Sequence, residues 1–119
     1  MEESTITIAI EPTPSIPNLK IIKIRGSFDA VTSNQVNERV WHVLERENVN
    51  IVLDLSSLDY LSSIGMLCLI KYLAFMNDEK RLIKFVKPPK HIYNTFEAAG
   101  IAKKFDMYDN TEAALSSLR

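Results

Sequence analysis

The sequence predicts an α/β fold, a mainly parallel sheet with an antiparallel first hairpin and four helices packed on it. Three observations point there. Two β-like apolar runs lie close together before any helical pattern begins. Ile51-Val52-Leu53-Asp54-Leu55 is then apolar without alternation, as a strand covered on both faces must be. From there onward helical and extended patterns alternate, and successive strand–helix–strand units fold back with one hand to give parallel neighbours.

Each element has a local reason. Ile6, Ile8 and Ile10 alternate with Thr7 and Ala9, the period-2 mark of a half-buried strand. Pro12, Pro14 and Pro17 make a short, stiff connection. Leu19–Arg25 is the second strand; its neighbours Ile21 and Ile22 imply cover on both faces, and its nearness to the first predicts antiparallel pairing. Gly26-Ser27-Phe28-Asp29 ends it. A helix over 32–47 carries Val36, Val40, Val43 and Leu44 on one face, with Trp41 beside that stripe as a packing residue. After the central strand at 51–55 comes a helix over 64–77. Arg81–Val86 is a further strand, and Pro88-Pro89 opens a third helix that stops at Gly100. Lys104–Tyr108 is a short edge strand, and Asn110 or Thr111 caps a last helix running through Leu118. The expected order is β-β-α-β-α-β-α-β-α.

With 119 residues the chain forms a single domain, 1–119, large enough to bury roughly two thirds of its surface. A net charge of −1 offers no overall field for nucleic acid or a membrane surface. Charge is nevertheless unevenly placed: residues 71–104 hold eight basic and three acidic residues, the remainder six and twelve. That stretch reads as a solvated basic edge or as a receiver for an acidic partner. The single cysteine, Cys68, excludes an intrachain disulfide or a multi-cysteine metal site and reads as a small buried thiol. Met1-Glu2-Glu3-Ser4 lacks the basic and apolar regions of a signal peptide. The apolar run at 64–76 is too short to span a bilayer and is interrupted by Lys71, so a cytoplasmic location is expected.

The chemistry gathers at Tyr60-Leu61-Ser62-Ser63-Ile64-Gly65, between the central strand and the apolar helix. Hydroxyls at a helix start stand beside unpaired N–H groups, so a serine there can cap the helix, carry a phosphate or act as a nucleophile. A hydrolase elbow of the Gly-x-Ser-x-Gly kind would need glycine where Leu61 stands, and neither His42 nor His91 is near in sequence. The three glycines, Gly26, Gly65 and Gly100, form no phosphate-cradling loop. No catalytic residue, cofactor or metal is therefore expected. Ser63 as a simple N-cap remains open, as does the reading of Gly65: close approach of a partner, or tight packing under the sheet. In the following helix Met66, Leu69, Ile70, Leu73 and Met76 form one apolar face. Ile64, Leu67, Cys68 and Phe75 share the remaining circumference with Lys71, which predicts cover by another protein, by a second copy of the chain, or by deep wedging between neighbours.

Two segments resemble a known family. Ile51-Val52-Leu53-Asp54-Leu55 leading into Ser62-Ser63-Ile64-Gly65, and the turn Gly26-Ser27-Phe28-Asp29, are similar to the STAS-domain anti-sigma factor antagonists, whose element order spans the whole chain. The commonest motif of that family is Asp-Ser-(Ser/Thr)-Gly, with the first hydroxyl phosphorylated. Aligned on Gly65, it puts the aspartate at Ser62, the phosphoacceptor at Ser63 and the next hydroxyl at Ile64, two departures from the pattern. The resemblance implies phosphorylation at Ser63, with Ser62 as the second candidate. It also implies a partner surface of Ser27, Phe28, Asp29, Ser62, Ile64, Gly65, Met66 and Leu69. The implied partners are an anti-sigma factor serine kinase of the GHKL type and a PP2C-type phosphatase; a homodimer mate is the partner the apolar helix suggests. The alternative is a scaffold of the same fold that is never phosphorylated.

Overall fold

The computed structural model describes residues 5–119; the acidic start Met1–Ser4 lies outside the described residues. Strand β1 (Ile6–Pro12) pairs antiparallel with β2 (Leu19–Phe28), with Ile8 opposite Ile24. Helix α1 (Ser33–Arg46) follows, then β3 (Asn50–Asp54), β4 (Leu58–Leu61) and α2 (Ser63–Asp78). The chain closes with β5 (Ile83–Val86), α3 (Lys90–Ala98), a single 3-10 turn at Ala102–Lys104, β6 (Met107–Tyr108) and α4 (Thr111–Ser116). The sheet runs β1-β2-β3-β5-β6, parallel after the first pair, with β4 attached to the far end of β2.

The sheet has six strands where the patterns predict five. Strand β2 is ten residues long, and β3 pairs only with Leu19–Lys23. Its last third would leave bare backbone groups; β4 takes them, placing Tyr60 opposite Ser27 and Leu61 opposite Phe28. The register shifts between Gly26 and Ser27, so Leu58 and Leu61 point inward with two exposed residues between them. A bulged strand has no period-2 alternation, which hides it in the sequence. Other spans differ from expectation: β2 runs on through Phe28 where the sequence ends it at Arg25, and α4 stops at Ser116, short of Leu118. Arg81 lies before β5 instead of within it, and only Met107–Tyr108 of the 104–108 segment is strand, because Lys104 ends the 3-10 turn and Phe105–Asp106 lead out of it.

Alternation along the inner strands sorts the core onto two faces. Ile22, Ile24, Ile51, Leu53 and Phe85 meet α1, α2 and α3, while Ile21, Val52 and Val86 meet Ala114 and Leu115 of α4. Asn110, of the two candidates, caps α4, its side chain accepting from the Ala113 N–H at 2.8 Å. Trp41 packs edge-on against Tyr72 and Phe75, as its place beside the α1 stripe suggests. Arg81 is drawn under α1: its guanidinium donates to the carbonyls of Leu44 and Glu47 and lies 5.5 Å from the Phe75 ring centre. Lys84 pairs with Asp106 and Lys87 with Asp109, so with Arg81 the basic stretch 71–104 uses three of its cations on partners within the chain.

Between α1 and α2 the Tyr72 hydroxyl donates to the Asn37 side-chain carbonyl, whose amide in turn reaches the Cys68 sulfur at 3.4 Å. Burial, reinforced by Cys68, holds the Tyr72 phenol protonated well above its ordinary pKa of 10.0. Above that value the unfolded chain loses this proton while the native protein keeps it, so native stability falls as pH rises past 10.0. Tyr72→Phe is expected to cost about 1–3 kcal/mol at neutral pH by orphaning Asn37. Urea unfolding at a series of pH values should then show a shallower alkaline loss in the variant than in the wild type; parallel curves would remove Tyr72 from the alkaline transition.

Candidate functional site

The site forms where β2, β4 and α2 end or begin together. The Ser62 N–H donates to the Phe28 carbonyl at 2.9 Å, which ties the helix start to the end of β2. Ser62 has extended backbone (φ −81°, ψ 172°), and its hydroxyl accepts from the Gly65 N–H at 3.1 Å. Ser62 is thus the N-cap of α2, a role the sequence left open for Ser63. Ser63 is the first residue of the helix, and its side chain is exposed. The first N–H groups of the helix, at Ser63 and Ile64, have no intrahelical acceptor and face the same opening.

Gly65 resolves the second open question. A Cβ placed there would lie 2.6 Å from the Phe28 carbonyl oxygen, 2.7 Å from Leu61 Cδ1 and 3.1 Å from Phe28 Cγ. The glycine is buried against the chain's own sheet, so close internal packing, and no visiting partner, demands it.

The neighbouring loop is held by Asp29 and Thr32. One Asp29 carboxylate oxygen accepts from the N–H groups of Val31 at 2.9 Å and Thr32 at 3.1 Å. The Thr32 hydroxyl donates to the Ser27 carbonyl at 2.6 Å and accepts from the Asp29 N–H at 3.0 Å. Asp29 therefore shapes the turn into α1.

Of the residues expected to meet a partner, Ser27, Asp29, Ser62 and Ile64 come together at this end of the sheet, with Ser63 among them. Phe28 and Leu69 do not face it: both are 0% exposed, and Met66 is buried as well. With Gly65 they form the floor of the site, because α2 turns those positions onto the sheet. Three exposed apolar residues complete the rim instead: Val31, Tyr60 and Leu67. Their signal was available as large apolar residues flanking the turn and one helical turn beyond it. Among the described rim residues Ser27, Asp29, Val31, Tyr60, Ile64 and Leu67 none is basic and Asp29 is acidic, so these side chains offer an anion no cationic partner. The fold brings His91 to β4: its Nε2 stands 2.9 Å from the carbonyl oxygen of Asp59, the residue before Tyr60.

The rest of α2 is covered from within. Cys68 and Tyr72 are buried toward α1, and Phe75 packs edge-on against Trp41, so the apolar circumference is mostly a wedge between neighbours. Only Ile64 and Leu67, at 45% and 50% exposure, keep large apolar surface open on this helix. Among the described residues, no helix is long and apolar enough to cross a membrane.

A family profile described as the STAS domain matches residues 8–114. Solved structures share the whole fold. An anti-sigma factor antagonist from Mycobacterium paratuberculosis superposes with a TM-score of 0.82 at 21% identity, over 97% of this chain and 95% of that one. The anti-sigma factor antagonist SpoIIAA in its unphosphorylated form gives 0.78 at 15% identity, over 95% and 96%. The Bacillus cell fate determinant SpoIIAA in its phosphorylated form gives 0.74 at 15% identity, over 95% and 100%. No curated protein matches the chain in sequence.

Two stability measurements test the assigned roles. Ser62→Ala is expected to cost about 1 kcal/mol through loss of the cap, whereas exposed Ser63→Ala should stay within about 0.5 kcal/mol of wild type. Gly65→Ala is expected to lose about 1–3 kcal/mol by overpacking against Phe28 and Leu61. Denaturant midpoints decide both; a neutral Gly65→Ala would mean that α2 can lift from the sheet at little cost.

Proposed function

Because the chain belongs to the STAS domain family, we propose that it is an anti-sigma factor antagonist that works by partner switching. The observation that carries this reading is the exposed Ser63 hydroxyl on the first residue of α2, freed from capping duty by Ser62. In this reading the unphosphorylated protein binds a GHKL-type serine kinase that is itself the anti-sigma factor, and so releases the sigma factor in the cytoplasm. The contact is made by Ser27, Asp29, Ser62 and Ile64 with the exposed apolar residues around them.

Phosphorylation of Ser63 adds about −1.5 to −2 charges and a strongly hydrated group. Within the free protein the first N–H groups of α2 stabilise it, so the fold need not change. Inside a closed interface the same charge loses its water and finds no basic side chain on the rim. A penalty of about 4 kcal/mol separates the partners roughly a thousandfold. A PP2C-type phosphatase restores the binding form. Ser63 is preferred to Ser62 as acceptor because the Ser62 oxygen is half-buried and already bonded to the Gly65 N–H. The existence of SpoIIAA structures in unphosphorylated and phosphorylated forms supports a domain of this shape carrying the group without unfolding. The protein acts by binding and catalyses nothing.

One feature favours a second reading, a scaffold of the same fold that is never modified: Ser62 supplies the cap without the negative charge an aspartate would place beside Ser63. Incubation with ATP, magnesium and candidate kinases, read by intact mass, separates the two. A gain of one phosphate that Ser63→Ala abolishes is expected, with Ser63→Ala still binding the kinase and Ser63→Asp losing roughly a thousandfold in affinity. Equal binding by both variants, or a phosphate mapped to Ser62, would defeat the switch as described.

A further inference from the structure

Helix α4 is six residues long and packs on β3, β5 and β6, so it leaves β1 and the second half of β2 uncovered on its face of the sheet. A hollow of about 300 Å³ opens there, lined by Thr7 and Ala9 of β1, Lys23 and Arg25 of β2, and Asp54 and Ser57 around the β3–β4 turn. Alternation gathers these side chains. Ile6, Ile8, Ile22 and Ile24 pack toward α1 and α2, so the residues between them point the other way. The short side chains of Thr7 and Ala9 leave the space open.

The charges in the hollow are unevenly partnered. Lys23 stands opposite Asp54 in the β2–β3 ladder but reaches Glu11 instead, at 3.4 Å. Asp54 is 9% exposed, and one of its oxygens accepts from the Ser56 N–H at 2.9 Å and the Ser56 hydroxyl at 2.6 Å. Its other oxygen receives neither a hydrogen bond nor a cation among the described residues. Arg25, two residues beyond Lys23 on the same face, also has no partner among them. One guanidinium and one buried carboxylate oxygen are thus left over in the same hollow, and a charge so far removed from water favours a charged partner.

We propose that this hollow binds a free α-amino acid, with its carboxylate on Arg25 and its ammonium on Asp54. The charge balance selects that chemistry. Lys23 and Glu11 cancel, so Arg25 and Asp54 present no net charge but two separated poles. A simple anion is drawn to Arg25 and repelled by Asp54, and a simple cation meets the reverse. A zwitterion satisfies both poles at once, and a guanidinium suits a planar carboxylate through two parallel N–H groups. The Thr7 and Ser57 hydroxyls stand on the same wall to take further polar atoms. The volume lies at the small end of ligand sites, which fits a molecule of this size. Ser63 begins α2, which packs on the opposite face of the sheet, so this site works whichever state Ser63 is in.

Two-dimensional NMR of the isotope-labelled full chain, titrated in turn with the twenty protein amino acids, tests this. At least one should shift the amides of Thr7, Lys23, Arg25 and Ser57 in a saturable way. For that amino acid, the matching amine without the carboxylate and the matching hydroxy acid without the ammonium should each bind about tenfold or more weakly. Arg25→Gln and Asp54→Asn should each weaken binding about tenfold or more, while Ser63→Asp binds as the wild type does. The two ligand analogues decide the matter if Asp54→Asn fails to fold. Shifts with none of the twenty, or shifts centred outside the hollow, would overturn the proposal. So would a hydroxy acid or an amine that binds as tightly as the amino acid, or a folded Arg25→Gln with wild-type affinity.

Discussion

The start of α2 approaches the end of β2 so closely that only a glycine fits at position 65, and the rest of the site follows from that approach. The Phe28 carbonyl, which would meet a Cβ there at 2.6 Å, also accepts the Ser62 N–H. One carbonyl thus fixes both the height of the helix above the sheet and the point where its first turn begins. With Ser62 held and its hydroxyl turned back to the Gly65 N–H, the next residue leaves the sheet and enters solvent. Ser63 is exposed because Ser62 and Gly65, on either side of the Ser63–Ile64 step, are held against the sheet.

Strand β4 is part of the same constraint. It continues along β2 where β3 leaves off, and its last residue, Leu61, packs beside Gly65. The short segment between the strands is pinned by Asp54, one carboxylate oxygen of which accepts from both the N–H and the hydroxyl of Ser56. The Ser57 carbonyl takes the Gly26 N–H at 3.2 Å, at a residue with φ of 112° where glycine is favoured. On the proposed reading, a hydroxyl on such a frame gains or loses a charge without moving its support. That suits a switch read at the surface rather than through a change of fold.

Much of this was legible in the residues. The α1 stripe, the unalternating central strand and the first hairpin each follow from one period and one burial rule, and each appears as expected. The strand–turn–helix junction at 60–65 was visible because apolar patterns of two kinds meet there across two serines. Other features were hidden for physical reasons. Strand β4 breaks alternation at a bulge. The cap could not be assigned to one of two adjacent serines, since both have the same side chain and the backbone angle decides. Phe28, Met66 and Leu69 looked like interface residues because burial by one's own sheet and burial by a partner demand the same side chains. The apolar far side of α2 had the same ambiguity, and α1 with Trp41 accounts for most of it.

The sequence by itself determined the class of fold, the order of nearly all its elements and the position of the strand–turn–helix junction at 60–65, since these depend on periodicity and turn residues near one another in the chain. Tertiary structure alone decided which serine caps and which is free, why position 65 must be glycine, and which apolar residues stay open to a visitor. Those outcomes turn on distances between backbone groups about 35 residues apart, from Phe28 to Ser62 and Gly65, and no local pattern encodes a separation in space.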